Sequence, residues 1–278
     1  HGIVGMRTAL KKSCDVYFYE VARKLGIDRL ADTASKFGLG EKVLANSKEE
    51  KAGVVPNTKW KIKELGKNWY LGETLHSGIG QGYFLTNPLQ LSLMTAQIAN
   101  GGFKIKPRIV VGENDKISNL QKYLNFKESN PGNIMPLNDQ IYNFNLKPLF
   151  RNQENINLIK DAMFAATNEI GGTSYRSRHK EKKFMFAGKT GSSQIKRFTE
   201  EQREAEVKQE SIQYLERDHA WFVAFAPVNN PKYAISVLVE HGGSGSSAAA
   251  PIASKIIKKV LERHELRSNY LNQLKEST

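Results

Sequence analysis

The amino-acid sequence predicts an α+β fold, an antiparallel sheet flanked by helices, and three observations carry that prediction. Apolar residues recur at helical spacing from Met6 to Phe37, from Leu91 to Ile98 and from Leu158 to Ala166. Three β-rich runs crowd the last third of the chain, two of them joined by a Pro/Asn turn. A two-row apolar stripe then closes the sequence. Helices, then antiparallel strands, then a helix is the order of an α+β domain, not of alternating βαβ units.

Met6, Ala9 and Leu10 open the first helical stripe, and Phe18, Val21, Ala22 and Leu25 resume it after the polar cluster Lys11-Lys12-Ser13-Cys14-Asp15. Two short helices therefore flank a polar corner. Gly26 stops the second, and Leu30 to Phe37 reads as another helix closed by Gly38-Leu39-Gly40. From Asn46 to Asn68 no period is sustained, which predicts loops with a short strand at most. After the turn Gly78-Ile79-Gly80-Gln81-Gly82, Asn87 caps a helix with Pro88 at its first position, running through Leu91, Met94, Gln97 and Ile98 to Gly101-Gly102. Residues 111 to 150, rich in Asn, Lys and Pro, read as a surface excursion. Leu158, Ile159, Ala162, Met163 and Ala166 form a further helix ending at Gly171-Gly172.

Phe184 to Ala187, Ala220 to Ala226 and Tyr233 to Glu240 are the predicted strands, the last two forming a hairpin through Pro227-Val228-Asn229-Asn230-Pro231-Lys232. Between the first two lies Thr199 to Arg217, a charged insertion with helical propensity. Ile252, Ala253, Ile256, Ile257, Val260 and Leu261 make the closing stripe, suited to lying across a sheet face.

Composition narrows the functional classes. The 278 residues are 40% hydrophobic, enough for a sizeable core, so wholesale disorder is excluded. The longest apolar run, Ala220 to Val228, falls well short of the roughly 18 to 20 residues that cross a bilayer. A single cysteine, Cys14, rules out an internal disulfide framework. The net charge of +13 fits nucleic acid, an anionic surface, an acidic substrate or simple solvation. No RNA-binding strand pattern, paired Cys/His spacing or helix-turn-helix signature accompanies it, so no nucleic-acid partner is expected. The first residue is His1, without a leader pattern, which reads as numbering that opens inside a longer protein.

Two patterns carry chemistry: Ser13-Cys14-Asp15 at the helix corner, and Lys189-Thr190-Gly191 after Phe184-Met185-Phe186-Ala187-Gly188. Lys-Thr-Gly belongs to a signature set with Ser-x-x-Lys and Ser-Asp-Asn. The residues alone also admit plainer readings: Ser13 and Asp15 as helix caps, and Lys189 as a solvated strand end. The glycines at 78 to 82 lack Gly-Lys-Ser/Thr and βαβ context, so they do not form a phosphate loop.

The runs Ser13 to Tyr19, Gly26-Ile27-Asp28-Arg29-Leu30, Lys36-Phe37-Gly38-Leu39-Gly40, Gly78 to Gly82, Pro88-Leu89-Gln90, Ala187 to Gly191 and Phe225-Ala226-Pro227 together resemble successive landmarks of class B penicillin-binding proteins. The likeness spans nearly the whole chain in order, and within the family it is strongest to the elongation type. The third residue of the middle motif, usually Asn, is Asp15 here, a departure that type shares.

The resemblance implies acyl transfer: a serine attacks a D-Ala-D-Ala carbonyl of a peptidoglycan stem peptide, D-Ala leaves, and an amine of a neighbouring strand takes the acyl group. It implies that Ser13 relays a proton to the leaving amine and that Asp15 holds the catalytic lysine and the substrate amide. Lys189 and Thr190 would grip the substrate's terminal carboxylate. Gly191 would leave room for the substrate backbone, and the Ser192 N–H would be an oxyanion donor. Implied partners are peptidoglycan stem peptides, β-lactams and a polytopic membrane glycosyltransferase of the elongation machinery, at the periplasmic face of the bacterial inner membrane. The 278 residues would then be the C-terminal part of a transpeptidase domain.

The family's nucleophile motif, Ser-x-x-Lys, should precede Ser13. That spacing occurs only at Ser177-Arg178-His179-Lys180 and Ser193-Gln194-Ile195-Lys196, both after it. The expected nucleophile and its lysine therefore lie ahead of His1, and residues 1–278 alone are expected to be inactive. The resemblance also implies zinc (Zn2+) at His1 and Cys14, with two further Asp ligands upstream. Two rival functions stay open: a serine β-lactamase or D,D-carboxypeptidase on the same scaffold, and a non-catalytic sensor that binds muropeptide or β-lactam.

Overall fold

The computed structural model describes residues 1–44, 47–107, 148–150, 152–195 and 211–276, with side chains to residue 266 apart from that of Gln153. Its N-terminal part is helical. Helix α1 (Met6–Lys12) and α2 (Asp15–Leu25) meet at Ser13, whose left-handed backbone (φ 52°, ψ 61°) turns the chain. Helix α3 (Ile27–Lys36) follows directly from Gly26, whose φ of 76° few other residues would tolerate.

The stretch read as loops contains a helix, α4 (Thr58–Leu65). Its pattern hid it: Ile62 and Leu65 are exposed, while Lys61 is 2% exposed. The Lys61 ammonium lies 2.5 and 2.6 Å from the two Glu73 oxygens and 4.6 Å from the Tyr70 ring centre, which makes burial of a charge tolerable. Glu73 belongs to α5 (Leu71–Gly78), where it also accepts a hydrogen bond from the Tyr70 N–H. Gly78 ends this helix against α2, and a Cβ there would lie 2.4 Å from Ala22 Cβ. That close approach is the structural use of the first glycine in the Gly78–Gly82 turn.

Helix α6 (Pro88–Ala99) starts as expected: the Asn87 side chain accepts from the Gln90 N–H, and the Gln90 side chain accepts from the Asn87 N–H. Helix α7 (Gln153–Asn168) is capped by Asn152. The excursion predicted at 111–150 lies outside the described residues except at its end, where Pro148 bridges Phe103.

Strands β1 (Ala187–Ser193), β2 (His219–Ala226) and β3 (Tyr233–Val239) form an antiparallel sheet in the order β1-β2-β3. Lys189 pairs with Val223 and Gly191 with Trp221. The first strand is shifted from its predicted position. Phe184 sits in a 3-10 turn (Lys182–Phe184), and β1 begins only at Ala187, so Lys189-Thr190-Gly191 lies within the strand instead of following it. Of the charged insertion, residues 199–210 fall outside the described part, and Tyr214–Glu216 is a single 3-10 turn.

Helix α8 (Ala250–Glu276) covers one sheet face. There Phe186, Phe222, Ala224, Ala253, Ile257 and Leu261 share a core. On the other face Ala187 and Phe225 pack with Ile98, Ile156 and Met163 of α6 and α7. The closing stripe buries only one of its two rows, since Ile252 and Ile256 remain 42% and 43% exposed. The architecture is the expected α+β arrangement of an antiparallel sheet flanked by helices. Among the described residues, no helix is long and apolar enough to cross a membrane.

Candidate active site

Folding brings the two sequence patterns together. Lys189 Nζ donates to Ser13 Oγ at 2.5 Å and to the Thr190 carbonyl at 2.8 Å. Burial of the ammonium lowers the Lys189 pKa to about 8, and the negative charge of Asp15 opposes part of that fall. Lys189 therefore stays mostly charged at neutral pH. Asp15, exposed at the start of α2, acts on it through space: among the described residues no donor hydrogen-bonds to its side chain.

Ser13 is held by the α1–α7 contact. Arg7 bridges Asp161 and Glu169, each at 2.5 Å, and Lys11 reaches Glu169 at 2.8 Å. These hydrogen bonds, Arg7 first and Lys11 second, pull the Glu169 carboxyl down to about 2. The corner that presents Ser13 is thus anchored electrostatically from Lys11 and Arg7 in the helix just ahead of it.

Strand β1 is held by hydroxyls that the sequence did not single out. Thr167 Oγ1 accepts from the Gly188 N–H at 3.1 Å and lies 3.1 Å from Ser174 Oγ, all buried. Thr190 Oγ1 donates to Thr173 Oγ1 at 3.1 Å. Gly188 is bare for packing, since a Cβ there would stand 2.4 Å from Phe222 Cζ. Among the described residues, a Cβ on Gly191 would come within 4 Å of Trp221 Cβ alone, at 3.4 Å, so the space on that side of Gly191 would accept one.

The outer edge of β1 has a definite polarity. Backbone groups of Gly188, Thr190, Ser192 and Gln194 all bond away from β2: to Thr167, Lys189 and, for the last two, Gln81. In an antiparallel strand the N–H and C=O of one residue face the same side, so the N–H groups of Thr190 and Ser192 point to this edge as well. The result is a row of peptide groups beside an ammonium and a hydroxyl. Such an edge can pair with a second peptide backbone.

Among the described residues, neither serine of the two Ser-x-x-Lys spacings bonds to Ser13 or Lys189. Ser177 lies in the 3-10 turn Tyr175–Ser177, where its carbonyl accepts from Ser254 of α8 at 2.7 Å. Ser193 ends β1, and its Lys196 lies outside the described residues. A groove between β3 and α8, lined by Tyr233, Ile235, Ile256 and Val260, holds none of the chemistry-bearing side chains.

The zinc donors do not make a site by themselves. Cys14 is buried and His1 exposed. Among the described residues no group of three or more His, Cys, Asp or Glu could hold a metal ion. Tetrahedral zinc needs four ligands, so the residues present do not fit a complete centre, and no chemical step is routed through one.

A serine at a helix corner against the lysine of a Lys-Thr-Gly run, in an antiparallel sheet with helices on both faces, fits the class of penicillin-binding proteins and serine β-lactamases, whose signature set includes Lys-Thr-Gly. Comparison narrows the class. The penicillin binding protein transpeptidase domain family matches residues 1–258, and the chain belongs to this family. It is 31% identical over 263 residues to the peptidoglycan D,D-transpeptidase MrdA of Salmonella typhimurium, covering 94% of the chain but 39% of that relative. It is also similar to a solved complex between penicillin-binding protein PBP2 and MreC from Helicobacter pylori, with a TM-score of 0.73 and 30% identity over 94% of the chain and 41% of that one. The PBP2 of Pseudomonas aeruginosa in complex with WCK 5153 matches with a TM-score of 0.68 and 33% identity, over 92% and 49%. The chain thus spans less than half the length of these relatives.

Proposed function

We propose that residues 1–278 are the C-terminal part of the transpeptidase domain of a peptidoglycan D,D-transpeptidase, which cross-links stem peptides during cell-wall elongation. The observation that carries this reading is the Lys189–Ser13 contact at 2.5 Å beside the outer edge of β1. The roles follow from the chemistry of the groups. A stem peptide pairs along β1 with its terminal carboxylate drawn to the Lys189 ammonium and the Thr190 hydroxyl. The carbonyl under attack sits against the Ser192 N–H, which stabilises the developing oxyanion. Ser13, a hydroxyl that accepts from Lys189, donates its own proton to the departing D-Ala amine and regains one from the lysine side. Asp15 supports the charged form of Lys189 from a distance.

The attacking serine belongs, in this reading, to a Ser-x-x-Lys segment ahead of His1. What supports this is that, among the described residues, neither Ser177 nor Ser193, the serines of the two such spacings, bonds to Ser13 or Lys189. Binding of β-lactams, pairing with a polytopic membrane glycosyltransferase, attachment at the periplasmic face of the inner membrane and a zinc ion completed by upstream ligands belong to the same proposal.

Fluorescent penicillin added to the full-length protein tests it. The label is expected on a serine ahead of His1, stable over the turnover time of a hydrolase, and absent from the isolated 278-residue chain. A label on a serine within residues 1–278 would refute the division of the site. Rapid hydrolytic release would favour the β-lactamase reading, and no label at all the sensor reading.

A further inference from the structure

The edge of β1 is already partly occupied. Gln81, in the turn after α5, donates from Nε2 to the Ser192 carbonyl at 2.7 Å and accepts at Oε1 from the Gln194 N–H at 3.4 Å. The orientation of its amide is fixed by chemistry. Flipped, it would set an acceptor against the Ser192 oxygen and a donor against the Gln194 N–H. A primary amide in this position offers the strand what a peptide group offers, one donor and one acceptor. It spans neighbouring groups on the outer edge, as a paired strand would.

The placement has a direct consequence for a backbone lying along β1. The N–H of an incoming peptide reaches the Ser192 carbonyl in the plane of the sheet, the direction Gln81 takes. Both cannot hold that line at full strength. We propose that Gln81 is a specificity-determining residue: its side-chain amide stands in for a substrate peptide group on Ser192 and Gln194, yields the Ser192 carbonyl when an acyl donor binds, and so sets how strongly the site selects donors that carry an N–H there. The glycines on either side of Gln81 allow the yielding motion, since Gly80 and Gly82 both hold positive φ (78° and 77°). This inference rests on the transpeptidase reading, because it needs a peptide on the β1 edge.

The test uses the full-length protein and two acyl donors, an N-acyl-D-alanyl thioester and its N-methyl counterpart, which lacks the N–H. kcat/KM is measured for wild type, Gln81→Ala and the length-matched Gln81→Met, which keeps the volume and removes both hydrogen bonds. Freeing one hydrogen-bond acceptor is expected to raise the preference for the N–H donor roughly threefold to tenfold in both variants, with the N-methyl donor unchanged. An equal fall for both donors would make Gln81 a brace for β1 and overturn the proposal, as would an unchanged ratio. Failure of wild type to turn over either thioester would refute the transpeptidase reading itself and this inference with it.

Discussion

Replacing Glu169 with Gln removes the carboxylate that ties α1, and through it Ser13, to the C-terminal end of α7. Three donors converge on it: Arg7 Nη2 at 2.5 Å, Lys11 Nζ at 2.8 Å and Arg7 Nη1 at 3.2 Å. They depress its pKa from 4.5 to about 2. At about 1.4 kcal/mol per unit, the whole shift corresponds to a ceiling of roughly 3 kcal/mol. The Glu169 and Arg7 side chains are 33% and 37% exposed, so solvent screens the pair and about 1–1.5 kcal/mol is the expected loss. The sign follows from linkage. A carboxyl whose folded pKa is depressed stabilises the fold above its unfolded pKa and loses that contribution as pH falls through the folded value. Urea unfolding of wild type and Glu169→Gln, followed by tryptophan fluorescence, should therefore differ by about 1–1.5 kcal/mol at pH 7. The gap should narrow below pH 4.5 and close near pH 2. A gap independent of pH across that range, or none at pH 7, would refute the electrostatic account of how the Ser13 corner is held.

Two further outcomes follow from the site. Because Lys189 titrates at about 8, its grip on a carboxylate should persist at pH 7 and weaken above pH 8; penicillin acylation of the full-length protein should decline there, and Lys189→Ala should abolish this limb while lowering the rate at neutral pH. Gly188→Ala should cost about 1–3 kcal/mol of stability, because its Cβ meets Phe222 Cζ at 2.4 Å and the Val223 carbonyl at 2.8 Å. Gly191→Ala, with its nearest contact at 3.4 Å, should melt within a few degrees of wild type, and a comparison of the two melting curves decides whether the two glycines have different tasks.

Legibility in the sequence tracked how local the responsible physics is. Helix α6 was readable because Asn87, Pro88 and Gln90 set its start within four residues. The β2–β3 hairpin was readable because its turn joins its own strands. Helix α4 was not, because its buried side chain is a lysine whose partner, Glu73, arrives from α5. The strand placed at Phe184 to Ala187 began too early, since Phe184 and Phe186 are buried beneath α8 whether or not the backbone pairs. For the site, Ser13 and Lys189 were readable as motif members. Thr167, Thr173 and Ser174 gave no local signal, and Gln81 lay in a turn that its glycines explained well enough.

By itself the sequence determined the α+β class, the corner at Ser13, the hairpin and the pair of motifs, because periodicity, caps and turn residues act over a few positions. Only the tertiary structure decided that Lys189 meets Ser13, that burial lowers its pKa, that Gly188 and Gly191 are bare for different reasons, and that Gln81 occupies the edge of β1. Each of these depends on a contact between segments far apart in the chain, where desolvation and hydrogen-bond geometry are set by packing that no local pattern encodes.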